Sequence, residues 1–267
     1  MVNSDTISLK KIYDFLYSNY GPQGWWPLVD LKPEINPTQR GRYTGYHPGN
    51  YNYPKNEDQI FEIMIGTILA QNTSWVNAEK ALWNLAQKNL ISESKLKEVD
   101  LDDLAQLIRS SGYYNQKAIK IQNILHFLQE NPISSLKNLE INVLRQKLIE
   151  IKGIGPETAD SIILYAFNKP IFVVDAYTKR LLSRIGLIPE KSSYEYIQNL
   201  FHAQISADFV VYNEFHALIV QHCVYICSSK PKCSMCFLNQ YCQKIIPIRI
   251  KSKKKAKKGK IMHNIKK

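Results

Sequence analysis

The chain has 267 residues, 45% hydrophobic and 22% charged, which is the balance of a globular protein able to bury a sizeable core in one large or two modest domains. No uninterrupted apolar run reaches the ~18 residues of a transmembrane helix. Met1-Val2-Asn3-Ser4-Asp5 lacks the basic-then-apolar pattern of a secretion signal, so we expect a cytoplasmic protein with no membrane partner.

The net charge of +12 is unevenly placed. Residues 244–267 hold eleven Lys or Arg and no Asp or Glu, which leaves 12 − 11 = +1 for residues 1–243. The run containing Lys251, Lys253, Lys254, Lys255, Lys257, Lys258 and Lys260 reads either as a solvated tail or as an arm that adds sequence-independent, salt-sensitive affinity for nucleic acid.

In chain order, residues 7–20 predict an amphipathic helix. Residues 21–54 are rich in Pro, Gly, Tyr and Trp without periodicity and predict a long ordered loop. Helices follow over 59–70 and 75–87. Asp100 predicts an N-cap, with Asp103 at the third helical position, for a helix ending near Ser110-Ser111-Gly112. Further helices are predicted over 116–129 and 143–151. A tight Gly153-Ile154-Gly155 turn then opens a helix over 156–166, with Pro156 suited to its first position. Helices over 176–185 and 213–225 complete a nearly all-α chain, and the helices of 59–166 read as one bundle. There is no repeat at a solenoid period.

Two features carry chemistry. A Gly-x-Gly turn at a helix start lets backbone N–H groups approach a phosphate. Twenty residues past Gly155, Val173-Val174 leads into a lone acid, Asp175. A carboxylate held beside a phosphate grip suits a reaction through a positively charged sugar. As an isolated residue Asp175 also reads as the N-cap of the next helix, and the two roles are compatible.

Four cysteines then crowd 16 residues as Cys227-x5-Cys233-x2-Cys236-x5-Cys242. In a chain with no secretion signal this spacing points to a metal rather than to disulfides. It fits a tetrahedral zinc or a 4Fe-4S cluster, and the two wide outer gaps tilt the reading towards the cluster. Cys223 falls outside the pattern and reads as a small buried hydrophobe. Lys230, Lys232 and Lys244 would stand on the ordered loop as a basic, DNA-facing surface.

Together these motifs resemble the helix-hairpin-helix DNA glycosylases, the superfamily of endonuclease III, over Gln59 to Cys242. Leu148 to Ala159 resembles the family hairpin and Val173-Val174-Asp175 its catalytic aspartate. Ile68-Leu69-Ala70-Gln71-Asn72-Thr73 resembles the segment whose glutamine enters the duplex. Gly112-Tyr113-Tyr114-Asn115-Gln116-Lys117-Ala118 resembles a backbone-contacting helix start. His222 to Cys227 and the ladder resemble the 4Fe-4S loop, although the first gap is one residue shorter than usual and Cys223 replaces a glycine.

The resemblance implies an all-α, two-lobed fold: a six-helix barrel domain with the hairpin over 56–167, a second helical lobe from 1–55 plus 168–226, the cluster loop at 227–242 and a basic tail at 243–267. It implies a monomer acting on double-stranded DNA with a damaged base, which is flipped out before its glycosidic bond is cut. Gln71 would fill the gap. Lys152, Gly153, Ile154, Gly155, Lys117, Lys179 and Arg180 would contact the DNA backbone.

Members that also cleave the strand carry a lysine where this chain has Glu157, and a carboxylate cannot form the imine that step needs. A monofunctional glycosylase is therefore expected. Gly24-Trp25-Trp26-Pro27, Ser111 to Lys117 and the hairpin are similar to the bacterial 3-methyladenine glycosylases, a resemblance that implies a pocket in which Trp25 and Trp26, with Glu157 as a catalytic-site residue, hold a cationic purine. An endonuclease III-type or mismatch thymine/uracil enzyme, and a non-catalytic DNA-binding module, are the alternatives.

Overall fold

Ser8 Oγ accepts from the Lys11 N–H at 3.2 Å and opens helix α1, Leu9–Tyr20, whose Leu9, Ile12 and Leu16 are buried. This computed structural model describes residues 7–31, 36–38 and 45–245 and contains no strand among them. Most of the expected basic tail, and part of the aromatic loop, lie outside the described residues. No helix among the described residues is long and apolar enough to cross a membrane.

Helix α2, Glu57–Ala70, is apolar on nearly every side, and residues 59–69 are all buried. A helix without a polar face belongs in the centre of a bundle. It lies against α3 (Trp75–Gln87), α6 (Tyr114–Glu130), α7 (Ile133–Leu136) and α9 (Pro156–Ser161). Two short helices, α4 (Glu93–Leu96) and α5 (Leu101–Leu107), and then α8 (Ile141–Glu150) complete this group. Asp100 caps α5 by accepting from the Asp102 N–H at 3.0 Å.

After α9 the helix widens to i→i+5 turns over Ile162–Ala166, a segment that touches both α2 and the C-terminal helix α12. Then come α10 (Ala176–Ile185), α11 (Tyr194–Gln204) and α12 (Phe209–Tyr225). Helix α12 packs on α1 and α10, so the two ends of the described chain meet.

Three buried polar anchors position the site. Asp160 of α9, fully buried, takes hydrogen bonds from Arg145 Nε (2.6 Å) and Nη2 (3.2 Å), Tyr194 Oη (2.7 Å) and Gln198 Nε2 (2.7 Å). It thereby ties the hairpin helix to α8 and α11. Glu214 of α12 accepts from the N–H groups of Gln23 (2.7 Å) and Gly24 (3.2 Å) and from Tyr51 Oη (3.2 Å). Glu62 of α2 accepts from the Val29 N–H at 2.8 Å. The last two carboxylates hold the aromatic N-terminal loop onto helices far away in sequence.

Candidate active site

The hairpin is built on apolar anchors. Leu148, Ile151 and Ile154 are buried, and the Ile154 N–H donates to the Ile151 carbonyl at 3.0 Å to close the turn. Gly153 has φ +103°, and a Cβ there would lie 2.5 Å from Lys120 Cγ, so glycine is required. Gly155 is different: its φ of −101° and ψ of −179° are extended, and open space surrounds the place where a Cβ would sit. It is the N-cap of α9, with Pro156 next, and this leaves the helix start approachable from outside.

Gln71, just past the end of α2, reaches across to this hairpin. Its Nε2 donates to Thr158 Oγ1 (3.0 Å) and the Gly153 carbonyl (3.4 Å), and its Oε1 accepts from Lys120 Nζ (2.5 Å).

Asp175 arrives on the buried extended run Ile171-Phe172-Val173-Val174 and caps α10. Its Oδ1 accepts from the Thr178 N–H at 2.7 Å, and its Oδ2 lies 3.7 Å from His216 Nε2. Burial alone would raise this carboxyl, but His216 and the Thr178 N–H outweigh it and hold it below the ordinary carboxylate value. His216 in turn has its Nδ1 2.6 Å from Tyr165 Oη. Glu157 is exposed on the cleft side. Loss of surrounding water and then the Asp175 charge raise its carboxyl, against the opposite pull of Lys179.

Between the hairpin, α10 and the aromatic loop is a cleft of about 270 Å³, lined by Trp25, Trp26, Trp75, Gln71, Glu157 and Asp175 among others. Trp26 meets Trp75 edge to face at 5.1 Å, and Trp25 meets His216 at 5.8 Å and 87°. The indole N–H groups of Trp25, Trp26 and Trp75 are buried without a partner among the described residues. The structure thus brings Gln71, Glu157, Asp175 and both tryptophans of the loop to one cavity.

Three expected backbone contacts are corrected. Lys117 is 2% exposed, and its Nζ donates inward to the carbonyls of Leu69 (2.8 Å) and Ser111 (2.7 Å). Burial, with Lys120 nearby, lowers that ammonium to about 8. Lys117 therefore fastens the α6 start to the end of α2, because a buried amine takes the carbonyls the fold offers it. Arg180 donates through Nη2 to the Cys223 carbonyl at 3.0 Å and stacks 4.8 Å from the Tyr177 ring, so it braces α10 against α12. The Ile154 N–H is spent inside the turn. Lys152 is exposed beside the hairpin, and Lys179 is partly exposed on α10.

Two residues at the site, His216 and Lys120, carry no signal in the sequence. His216 sits in an evenly apolar helix, where one histidine reads as core. Lys120 is marked only by its packing on Gly153. Tyr113, in the helix-start motif, is 68% exposed with φ +47° at the start of α6.

The four ladder cysteines line one cavity together with Leu181, Ile185, His222 and Leu238, and none is in a disulfide. Buried Arg184 reaches into it, its Nη1 lying 3.4 Å from Cys227 Sγ. Hydrogen bonding from Cys223, and then Arg184, hold the Cys227 thiol below its ordinary value. No three described His, Cys, Asp or Glu side chains are gathered closely enough to hold a single ion. Four thiols spread around an apolar cavity beside a buried cation suit a cluster, a multi-atom anion, better than one zinc. Cys223 is fully buried.

Comparison with known proteins follows the same lines. Residues 65–206 match the sequence profile of the HhH-GPD superfamily of base excision DNA repair proteins. The Methanocaldococcus jannaschii chain MJ1434, assigned to the DNA repair glycosylases, is 39% identical over 236 residues, covering 87% of this chain and 94% of that one. Endonuclease III of Sulfolobus acidocaldarius is 30% identical over 188 residues, 69% of this chain and 82% of its own.

Among solved structures, H. pylori 3-methyladenine DNA glycosylase (MagIII) bound to 1,N6-ethenoadenine superposes with a TM-score of 0.62 at 25% identity, over 81% of this chain and 97% of its own. A non-covalent endonuclease III–DNA complex superposes at 0.65 and 20% identity, over 90% and 97%. The fold is the two-domain one these structures share. An all-helical chain with this hairpin, these relatives and this superposition belongs to the HhH-GPD superfamily of DNA glycosylases.

Proposed function

We propose that this DNA glycosylase is monofunctional and hydrolyses alkylated purines such as 3-methyladenine from duplex DNA. One observation carries the reading: no lysine is among the described residues lining the cleft, and the start of the hairpin helix presents the Glu157 carboxylate instead. Without an amine at the sugar no imine forms, so base removal must proceed by water.

The three indoles favour a flat cation, which gains from stacking and from the ring quadrupoles. A purine made cationic by alkylation leaves as a neutral base and needs no protonation. The ionised Asp175 then stabilises the positive charge on the sugar as the C1′–N bond breaks, and accepts the proton of the water that forms the new C1′–O bond.

Gly155 and the α9 start, with Lys152, would hold a phosphate, while Gln71 leaves its present partners to fill the gap. Domain bounds of 56–167, 1–55 plus 168–226, and a loop at 227–242 accord with the packing of α1 on α12.

We expect free 3-methyladenine from methylated duplex DNA, and no covalent complex after borohydride. A borohydride-trapped complex would instead establish an endonuclease III-type lyase. That second reading is favoured by the full cysteine ladder and by the endonuclease III relatives.

Cys227, Cys233, Cys236 and Cys242 would hold a 4Fe-4S cluster. Such a cluster, when bound, supplies a covalent tie that fixes the loop. Purified protein is expected to contain about four irons per chain and to absorb near ~400 nm. A colourless, zinc-loaded protein would refute this assignment.

A further inference from the structure

We propose that His216 is a positioning residue for Asp175, locked by Tyr165 into the tautomer that turns an N–H towards the carboxylate. The inference deepens the proposed hydrolysis and rests on Asp175 acting there.

Tyr165 is 2% exposed, and among the described residues its hydroxyl has one hydrogen-bond partner, His216 Nδ1 at 2.6 Å. Burial pushes the phenol well above its ordinary value, so it keeps its proton and must give it to an acceptor. Nδ1 is that acceptor. A neutral imidazole accepting at Nδ1 carries its hydrogen on Nε2. Nε2 is buried with no hydrogen-bond partner among the described residues, and Asp175 Oδ2 is 3.7 Å away. The lock thus aims an N–H at the carboxylate and denies that oxygen an opposing lone pair.

The ring cannot easily turn away. Trp25 stands edge to face on it at 5.8 Å, and Phe172 flanks it at 6.5 Å and 87°. The 3.7 Å gap is longer than a hydrogen bond. Catalytic contacts are often long before substrate binds, and this one would shorten as the cleft closes on DNA. His216 lines the cleft, but its Nε2 is buried and faces Asp175 Oδ2, so the ring acts through that carboxylate.

Other titratable groups also face Asp175. They are Glu157 from α9, Tyr165 from the widened turn and Cys223 on α12, with Lys179 of α10 acting on Glu157. Of these Glu157 lines the cleft, and Lys179 outside that lining pulls the Glu157 carboxyl down.

The experiment compares wild type, His216→Gln, His216→Phe and Tyr165→Phe in the full chain. It reads single-turnover base release against pH, duplex binding, and the titration of the Asp175 carboxyl by carbon NMR. His216→Phe is expected to slow release at neutral pH by about 10²-fold with duplex binding kept. Its acid limb and its Asp175 titration should both move up by roughly one pH unit. The sign follows from the loss of a donor that favours the anion.

His216→Gln, whose amide N–H can face Oδ2, should recover part of both. Tyr165→Phe frees the ring to take the other tautomer and should shift both readouts in the same direction by less. It also serves if His216→Phe does not fold. If Asp175 titrates unchanged in all the folded variants, the positioning role is overturned. If wild type releases no base while the titration moves as stated, the hydrolytic reading fails and the positioning role stands.

Discussion

Asp175→Asn is expected to reduce base release by about 10³-fold while duplex binding is unchanged. Asparagine keeps the shape and can still cap α10, since its side-chain oxygen accepts from the Thr178 N–H as the carboxylate does at 2.7 Å. Only the charge disappears. The substitution therefore separates a capping role, which survives, from stabilisation of a sugar cation, which does not. Single-turnover release from methylated duplex, alongside a binding titration, reads both. Release at the wild-type rate would show that the acid matters for the helix alone.

The second large effect is on stability. Asp160→Ala should cost about 3–5 kcal/mol, because it strips a fully buried carboxylate from Arg145, Tyr194 and Gln198 and leaves their donors unpaired. Urea unfolding followed by circular dichroism measures it as a lower midpoint at constant slope. Asp160→Asn, which retains an acceptor oxygen, should cost less. A loss below ~1 kcal/mol in the alanine variant would mean that α8, α9 and α11 are held by apolar packing alone.

Legibility in the sequence followed the range of the interaction that decides each feature. Helix α10 is bounded by Asp175 and by Gly186 at φ +96°, both local signals, and its expected span of 176–185 is the observed one. Helix α11 is absent from the expected elements although Ser193 caps it and Ile197, Leu200 and Phe201 stand at helical spacing. The break of α9 into wider turns has no local mark.

Gln71, Glu157 and Asp175 line one cleft. Lys117 was misjudged because its partner, the Leu69 carbonyl, is 48 residues away. Arg180 likewise answers to a carbonyl 43 residues on. His216 gains meaning only when α12 lies against Tyr165, 51 residues earlier in the chain.

The Glu214 anchor bears on how the protein is made. It grips the backbone of Gln23 and Gly24 across 191 and 190 residues, and Asn213 beside it donates to the Trp25 carbonyl across 188. During vectorial synthesis the hairpin and most of the bundle can assemble while α12 is still unmade. Closing so long a loop comes late, and only then is the tryptophan wall fixed. A nascent or C-terminally truncated chain would have the hairpin of the proposed phosphate grip without the aromatic wall of the cleft, and is expected to remove no base.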